Sequence, residues 1–340
     1  MQQRRAAMSL ARKATVMRIL AVDDDPFILE LLREMLGKTD GDELLTAECG
    51  AEALTMIHAG PAFDCVLLDI QMPSLTGIEV CRALRLIEGY ELTPVLMLTA
   101  MSDKRYIDSA FRAGATDYVN KPFEVTELLA RIDLLRHLVE ARRHSNAALT
   151  RMASGHRASV TDGPVSLWRP FDIRDIDGIV DVMALENYVG KLSRARLFGS
   201  SVFAVTVRRI EQLYLQTSSF DFQSMIVDVA EALSDTLGME NFMAAYAGNG
   251  TFICVIEGGK LKDGSTFTDR LNLAIHRLGM HCSDGQPLNV RVCMGQSSRL
   301  MWQSTASALD TLSQAVNSAE AEAQRLEKSL DDFWYMGASA

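Results

Sequence analysis

The residues best suited to chemistry stand at the ends of short apolar runs. Ile19-Leu20-Ala21-Val22 stops at Asp23-Asp24-Asp25-Pro26, Cys65-Val66-Leu67-Leu68 at Asp69, Val95-Leu96-Met97-Leu98 at Thr99, and Tyr118-Val119-Asn120 at Lys121. Ligands of open α/β sheets bind beyond the carboxyl ends of the strands, so these side chains are expected to converge. Crowded carboxylates repel one another unless a hard cation sits among them, and oxygen ligands that leave room for water suit magnesium. In such a setting Asp69 can act as a nucleophile toward phosphorus and form an aspartyl phosphate. Thr99 can donate a hydrogen bond to one phosphoryl oxygen, and Lys121 can bring positive charge to another. Taken singly, an Asp at a strand end is usually a turn former or a helix cap, and a lysine before a proline is a loop lysine. Recurrence at strand end after strand end is what caps do not explain.

The elements that would position these residues are legible in the same stretch. Strands read near Arg18–Val22, Glu43–Ala47, Cys65–Leu68, Val95–Leu98 and Asp117–Val119, with amphipathic stretches between them at βα spacing. That alternation predicts an α/β fold, a doubly wound (βα)5 parallel sheet. Pro26 suits the first turn of the first helix, whose Ile28, Leu29, Leu31, Leu32, Met35 and Leu36 share an apolar face. Asp25 reads as a helix-start residue without ligand duty. From Val125 a further helix carries Leu128, Ile132, Leu135 and Val139 in alternating steps, and the pattern decays at Arg142 and Asn146. A short seam joining a homodimer and a helix packed on its own sheet both fit that stripe.

At 340 residues the chain is long enough for two domains, and its 48% hydrophobic and 23% charged content is that of a folded globular protein. The net charge is −10 although Arg4, Arg5, Arg12, Lys13 and Arg18 open the chain with no acid among them. The remainder is more acidic still, which argues against a large nucleic-acid surface. The six cysteines are scattered, without a Cys-x-x-Cys pair, and fit reduced thiols rather than disulfides or zinc. No apolar run approaches the ~20 residues of a membrane helix. A cytoplasmic protein with no membrane partner is the expectation, with residues 1–16 a basic extension.

Val22-Asp23-Asp24-Asp25-Pro26, Leu68-Asp69-Ile70-Gln71-Met72-Pro73, Leu98-Thr99-Ala100 and Asn120-Lys121-Pro122-Phe123 together resemble the receiver domain of bacterial two-component response regulators. The resemblance covers residues 17–142. It implies that Asp69 accepts phosphate from a sensor histidine kinase, and that Asp23, Asp24 and Asp69 hold Mg2+ with the Gln71 backbone carbonyl as a further ligand. It also makes Thr99 and Lys121 the pair that senses the phosphoryl group and places Tyr118 at the aromatic switch position.

Residues 143–170 hold Ser, Gly, Thr, Asp and Pro without periodicity and read as a linker. Beyond it, a helix over Val182–Ala195 leads to a strand over Ser201–Val207, a helix over Phe222–Leu237, strands over Asn241–Ala247 and Thr251–Glu257, a helix over Thr266–Leu278, a strand over Leu288–Met294 and a closing helix from Ser304. That order predicts an α+β domain with a mostly antiparallel sheet over residues 171–330, followed by a tail over 331–340. Tyr246-Ala247-Gly248-Asn249-Gly250-Thr251-Phe252, Val290-Arg291-Val292-Cys293-Met294-Gly295 and the Ala-rich last helix resemble the GGDEF domain of diguanylate cyclases. The family's hairpin carries two glycines, an acid and a glutamate where this chain has Gly248, Asn249, Gly250 and Thr251, and Arg208 and Arg209 stand where a metal-binding Asp is expected. The inhibitory Arg-x-x-Asp motif is also missing, since Met239-Glu240-Asn241-Phe242 occupies its place. The stripe of Leu309, Leu312, Val316, Ala319, Ala323, Leu326 and Leu330 fits either a partner seam or a helix laid along its own domain.

The sequence therefore predicts a phosphate-accepting receiver whose output is protein contact through a catalytically inactive GGDEF-like domain, with an unidentified downstream protein as partner. An active diguanylate cyclase or guanine-nucleotide sensor is the alternative, and a receiver that serves only as a phosphate sink is a third.

Overall fold

The computed structural model describes residues 16–37, 42–100, 104–153, 165–173, 175–191, 200–238, 241–257, 261, 263–300 and 305–337. The basic extension up to residue 15, linker residues 154–164 and Met239-Glu240 fall outside the described residues. The chain divides into two units, Met1–Arg157 and Ala158–Ala340.

In the first unit, β1 (Arg18–Val22), β2 (Glu43–Ala47), β3 (Cys65–Asp69), β4 (Val95–Thr99) and β5 (Asp117–Asn120) alternate with α1 (Pro26–Leu36), α2 (Gly50–Ala59), α3 (Gly77–Arg85), α4 (Lys104–Arg112) and α5 (Val125–Ala153). The strands lie in the order β2-β1-β3-β4-β5 and every pair is parallel, as the βα alternation predicts. Alternate residues of a strand face opposite sides, so one apolar run feeds two cores. Leu20, Val22, Val66, Leu68, Val95 and Met97 pack with Ala53, Ile57, Val80 and Leu84 of α2 and α3. Ile19, Ala21, Leu67, Leu96 and Leu98 pack on the other side with Leu29, Leu32 and Leu36 of α1. The α5 stripe of Leu128, Ile132, Leu135 and Val139 is buried in that same core, so its own sheet uses the face on which a homodimer seam was an alternative.

The helix α5 runs on to Ala153, so the first residues of the expected linker are helical. Two acids at the amino-terminal end of the sheet tie it down. Asp42 accepts both Nη1 (2.9 Å) and Nη2 (2.5 Å) of Arg136 together with the Met17 N–H (3.0 Å). Asp64 accepts Nη2 of Arg143 (2.5 Å) and the Arg18 N–H (2.8 Å). The chain's entry into β1 and the far part of α5 thus share the same carboxylates.

The second unit contains α6 (Val182–Lys191), β6 (Ser201–Val207), α7 (Ile210–Gln216), α8 (Ser219–Leu237), β7 (Phe242–Gly248), β8 (Thr251–Ile256), α9 (Gly264–Leu278), β9 (Val292–Met294), β10 (Ser298–Arg299) and α10 (Thr305–Gly337). β6 pairs antiparallel with β8 on one side and with β9 and then β10 on the other, and β8 pairs antiparallel with β7. The expected βαββαβ order is therefore closed into an antiparallel sheet. Phe203, Val205, Val207, Phe252 and Ile256 meet Phe222, Ile226, Val229 and Leu233 of α8 and Phe267, Leu271 and Ile275 of α9. α10 packs on β6, β8 and β9 and on α6, burying Ala308, Leu312, Ala315, Ala319 and Ala323. Leu312, Ala319 and Ala323 of its regular stripe are thus buried within its own unit, Leu309, Val316 and Leu326 are half-buried, and the Leu330 side chain lies outside the described residues.

Some boundaries differ from the sequence reading. The strand expected from Leu288 begins only at Val292, because the Leu288 N–H donates instead to Met280 in a turn. α7 was not foreseen, and α8 starts at Ser219 because Ser218 caps it through the Asp221 N–H. Leu167, in the expected linker, is buried in the second core.

Candidate functional site

Register brings the strand-end residues to one edge. Val22 pairs with Leu68, Asp69 with Leu98 and Thr99 with Asn120, so the residues that close or follow β1, β3, β4 and β5 form a row. Asp23 is fully buried, Asp69 is 4% exposed and Thr99 is buried, whereas Asp24 is exposed. One carboxylate oxygen each from Asp23, Asp24 and Asp69 lies within 4.8 Å of the others, and among the described residues this is the one acid group so arranged.

Lys121 joins them. Its Nζ donates to Asp23 Oδ2 at 2.6 Å and to Asp69 Oδ1 at 2.8 Å, and its backbone N–H donates to the Thr99 carbonyl at 2.6 Å. The other oxygen of Asp23 accepts the Asp25 N–H at 3.0 Å. Burial pushes the Asp69 carboxyl above its ordinary range; Lys121 pulls it down, and Asp23 and Asp24 push it up again. Burial pulls the Lys121 ammonium down, but its bonds to Asp23 and Asp69 outweigh that and leave it raised. Three carboxylates against one ammonium leave two negative charges unbalanced when all are ionised, which a divalent cation would neutralise.

The other residues implicated by resemblance stand around this centre. Tyr118 is half-buried, back along β5, with its ring edge-on to Phe111 at 6.1 Å. Gln71 is exposed in the loop after β3, where its carbonyl is two residues beyond Asp69. Asp25 is the N-cap of α1, accepting the Phe27 N–H at 2.9 Å. The sequence reading missed Gly77. A Cβ there would lie 2.0 Å from the Asp69 carbonyl oxygen, so only glycine lets the start of α3 close against the strand end.

The residues singled out in the second unit form a different kind of place. Asn249 and Gly250, both in left-handed backbone (φ 50° and 67°), make the two-residue turn between β7 and β8. Asn249 Nδ2 donates to Glu320 of α10 at 2.8 Å, and its N–H donates to the Leu167 carbonyl at 2.6 Å. Thr251 and Thr206 share a buried hydroxyl pair at 2.7 Å. The Arg209 N–H donates to Glu327 at 2.7 Å. No helix among the described residues is long and apolar enough to cross a membrane.

Residues 19–133 match the response regulator receiver domain family. Among curated proteins, the chain is 47% identical over 119 residues to the response regulator MprA of Mycobacterium leprae, covering 35% of this chain and 50% of that protein. It is 42% identical over 115 residues to the DNA-binding response regulator MtrA of Mycolicibacterium smegmatis, covering 34% and 48%. The chain thus spans about half the length of these relatives. Among solved structures, the chemotaxis response regulator CheY4 of Vibrio cholerae is 34% identical over 36% of this chain and 99% of its own, with a TM-score of 0.34. Residues 19–133 are a response regulator receiver domain.

Proposed function

We propose that the chain is a phosphorylation-controlled switch in which Asp69 takes a phosphoryl group from the phosphohistidine of a sensor kinase. The observation that carries this reading is the Lys121 ammonium shared between Asp23 and Asp69 at 2.6 and 2.8 Å. An Asp69 oxygen attacks phosphorus, the P–N bond breaks as the O–P bond forms, and the electron pair returns to the imidazole nitrogen. The acyl phosphate carries its negative charge on the phosphoryl oxygens, so Lys121 gains a new partner and Thr99, at the adjacent strand end, can donate to another oxygen. Asp23, Asp24, Asp69 and the Gln71 carbonyl would hold Mg2+. The two unbalanced charges and all-oxygen donors suit that ion, which would offset charge on the incoming phosphoryl group. Engaging the new charge in only one arrangement of Thr99, Lys121 and Tyr118 gives phosphorylation its leverage over conformation.

The second unit serves as an inactive GGDEF-like output domain that works by protein contact. The βαββαβ order supports the likeness. What supports its inactivity is that neither the turn Asn249-Gly250 nor the Thr206–Thr251 pair supplies a carboxylate of its own for the metal ions that nucleotide cyclisation needs. MtrA is named a DNA-binding regulator. Here the net charge of −10 argues for a protein partner rather than nucleic acid. The protein is read as cytoplasmic. The deciding experiment is labelling with acetyl phosphate, which Asp69→Asn abolishes; undiminished labelling of that variant overturns the reading.

A further inference from the structure

Asp25 lies outside the group of mutually facing carboxylates, yet two of its bonds link α1 to that group. Its side chain caps α1 by accepting the Phe27 N–H at 2.9 Å, and its carbonyl accepts the N–H groups of Ile28 (3.1 Å) and Leu29 (3.2 Å). Pro26 occupies the start of the helix, so Asp25 is held in extended backbone (φ −91°, ψ 109°) between a fixed ring and a capped first turn. In that pose its own N–H donates to Asp23 Oδ1 at 3.0 Å, while Asp23 Oδ2 takes Lys121. Asp23 is fully buried, so no bulk water is at hand to replace a lost donor.

We propose that Asp25 is a positioning residue for cation binding: by capping α1 it fixes the backbone N–H that orients the Asp23 carboxylate. This rests on reading Asp23, Asp24 and Asp69 as a magnesium seat. The rival explanation for any effect of Asp25 is its charge acting through space, and the two separate cleanly. Asn and Ser cap a helix about as well as Asp, whereas Ala does not. Asp25→Asn and Asp25→Ser therefore keep the cap and lose the charge, while Asp25→Ala loses both.

The test is titration of the metal-free full chain with magnesium chloride by calorimetry, with Asp24→Asn as a reference for a lost ligand. Asp25→Ala is expected to weaken binding about threefold to fivefold, the affinity equivalent of up to about 1 kcal/mol. Asp25→Asn and Asp25→Ser are expected to restore wild-type affinity, which a general loss of folding or of charge would not do. Wild-type affinity in Asp25→Ala, or an equal fall in Asp25→Asn, overturns the proposal. If Asp24→Asn weakens binding and Asp25→Ala does not, the magnesium seat stands and only the role of Asp25 falls. If the wild type takes up no magnesium, the seat itself is refuted and the proposal with it.

Discussion

The carboxyl edge of the first sheet and the β7–β8 turn of the second put polar groups in comparable places, just past apolar strands, and treat them in opposite ways. At the first edge, Asp23 and Asp69 share one ammonium with Asp24 beside them, so the site carries charge that its own residues do not balance. At the second, Asn249 donates to Glu320 and to the Leu167 carbonyl, Thr251 pairs with Thr206, and the turn is held within the unit. Unbalanced negative charge is stabilised by a cation arriving from outside, which can then offset the charge of a phosphoryl group. A turn whose donors face its own helix offers little to a ligand. The contrast between a site that waits for a cation and a turn whose donors are already taken can be tested directly.

The largest expected effects are all-or-none. Labelling by acetyl phosphate is lost in Asp69→Asn, and full-length protein incubated with GTP and magnesium yields no cyclic di-GMP; product above background would erase the difference between the two regions. Next in size is Lys121→Ala. It leaves Asp23 and Asp69 buried without their cation, and such a loss costs about 3–5 kcal/mol in denaturant unfolding with chelator present. Saturating magnesium is expected to recover part of that loss, because it supplies charge to the same carboxylates.

Smaller effects sharpen the second region. Thr206→Val removes the hydroxyl pair but leaves Thr251 its bond to the Asn249 carbonyl at 3.3 Å, so it should cost about 0.5–1.5 kcal/mol, and the double variant with Thr251→Val should lose less than the sum of the two single losses. A loss in the double variant equal to the sum of the two single losses would show the pair contributes nothing. The smallest effect concerns pH. The Asp69 carboxyl is raised in the folded chain, so the folded form binds its proton more readily than the unfolded form does. Ionised Asp69 therefore destabilises the fold at neutral pH, and the penalty is relieved as pH falls through the raised value toward the unfolded one near ~3.9. In metal-free buffer Asp69→Asn should be more stable than wild type at pH 7, with the gap narrowing on acidification. A gap that widens on acidification contradicts the assignment.

Much of the first region was legible in the sequence because parallel strands turn linear order into spatial order. Once Val22, Leu68, Leu98 and Val119 are read as strand interiors, Asp23, Asp69, Thr99 and Lys121 must meet at one edge. The shared ammonium was not legible, since the bond from Lys121 to Asp23 spans most of the unit. Gly77 escaped because its requirement is the carbonyl of Asp69 facing it, and no local pattern encodes that approach. In the second unit the Asn249-Gly250 turn was read correctly from its residue types. Leu288 and Val290 have strand-like character, yet a turn around Gly285 takes their segment's bonds, and the strand is shorter than apolar alternation suggests. The stripes of α5 and α10 were ambiguous for a related reason: periodicity shows that a face is covered, not by what.

Arg136 and Arg143 of α5 bear on how far the receiver's grip extends. Apolar packing holds the helix as far as Val139, and among the described residues beyond that point Arg143 fastens it through Asp64 and the Val16 carbonyl. Arg136–Asp42 is well buried, whereas Arg143 is 44% exposed, so added salt screens the outer fastening more than the inner one. Among the described residues the end of α5 thus behaves as a hem stitched at Arg143: raising ionic strength should open it to trypsin at Arg143 while Arg136 stays protected.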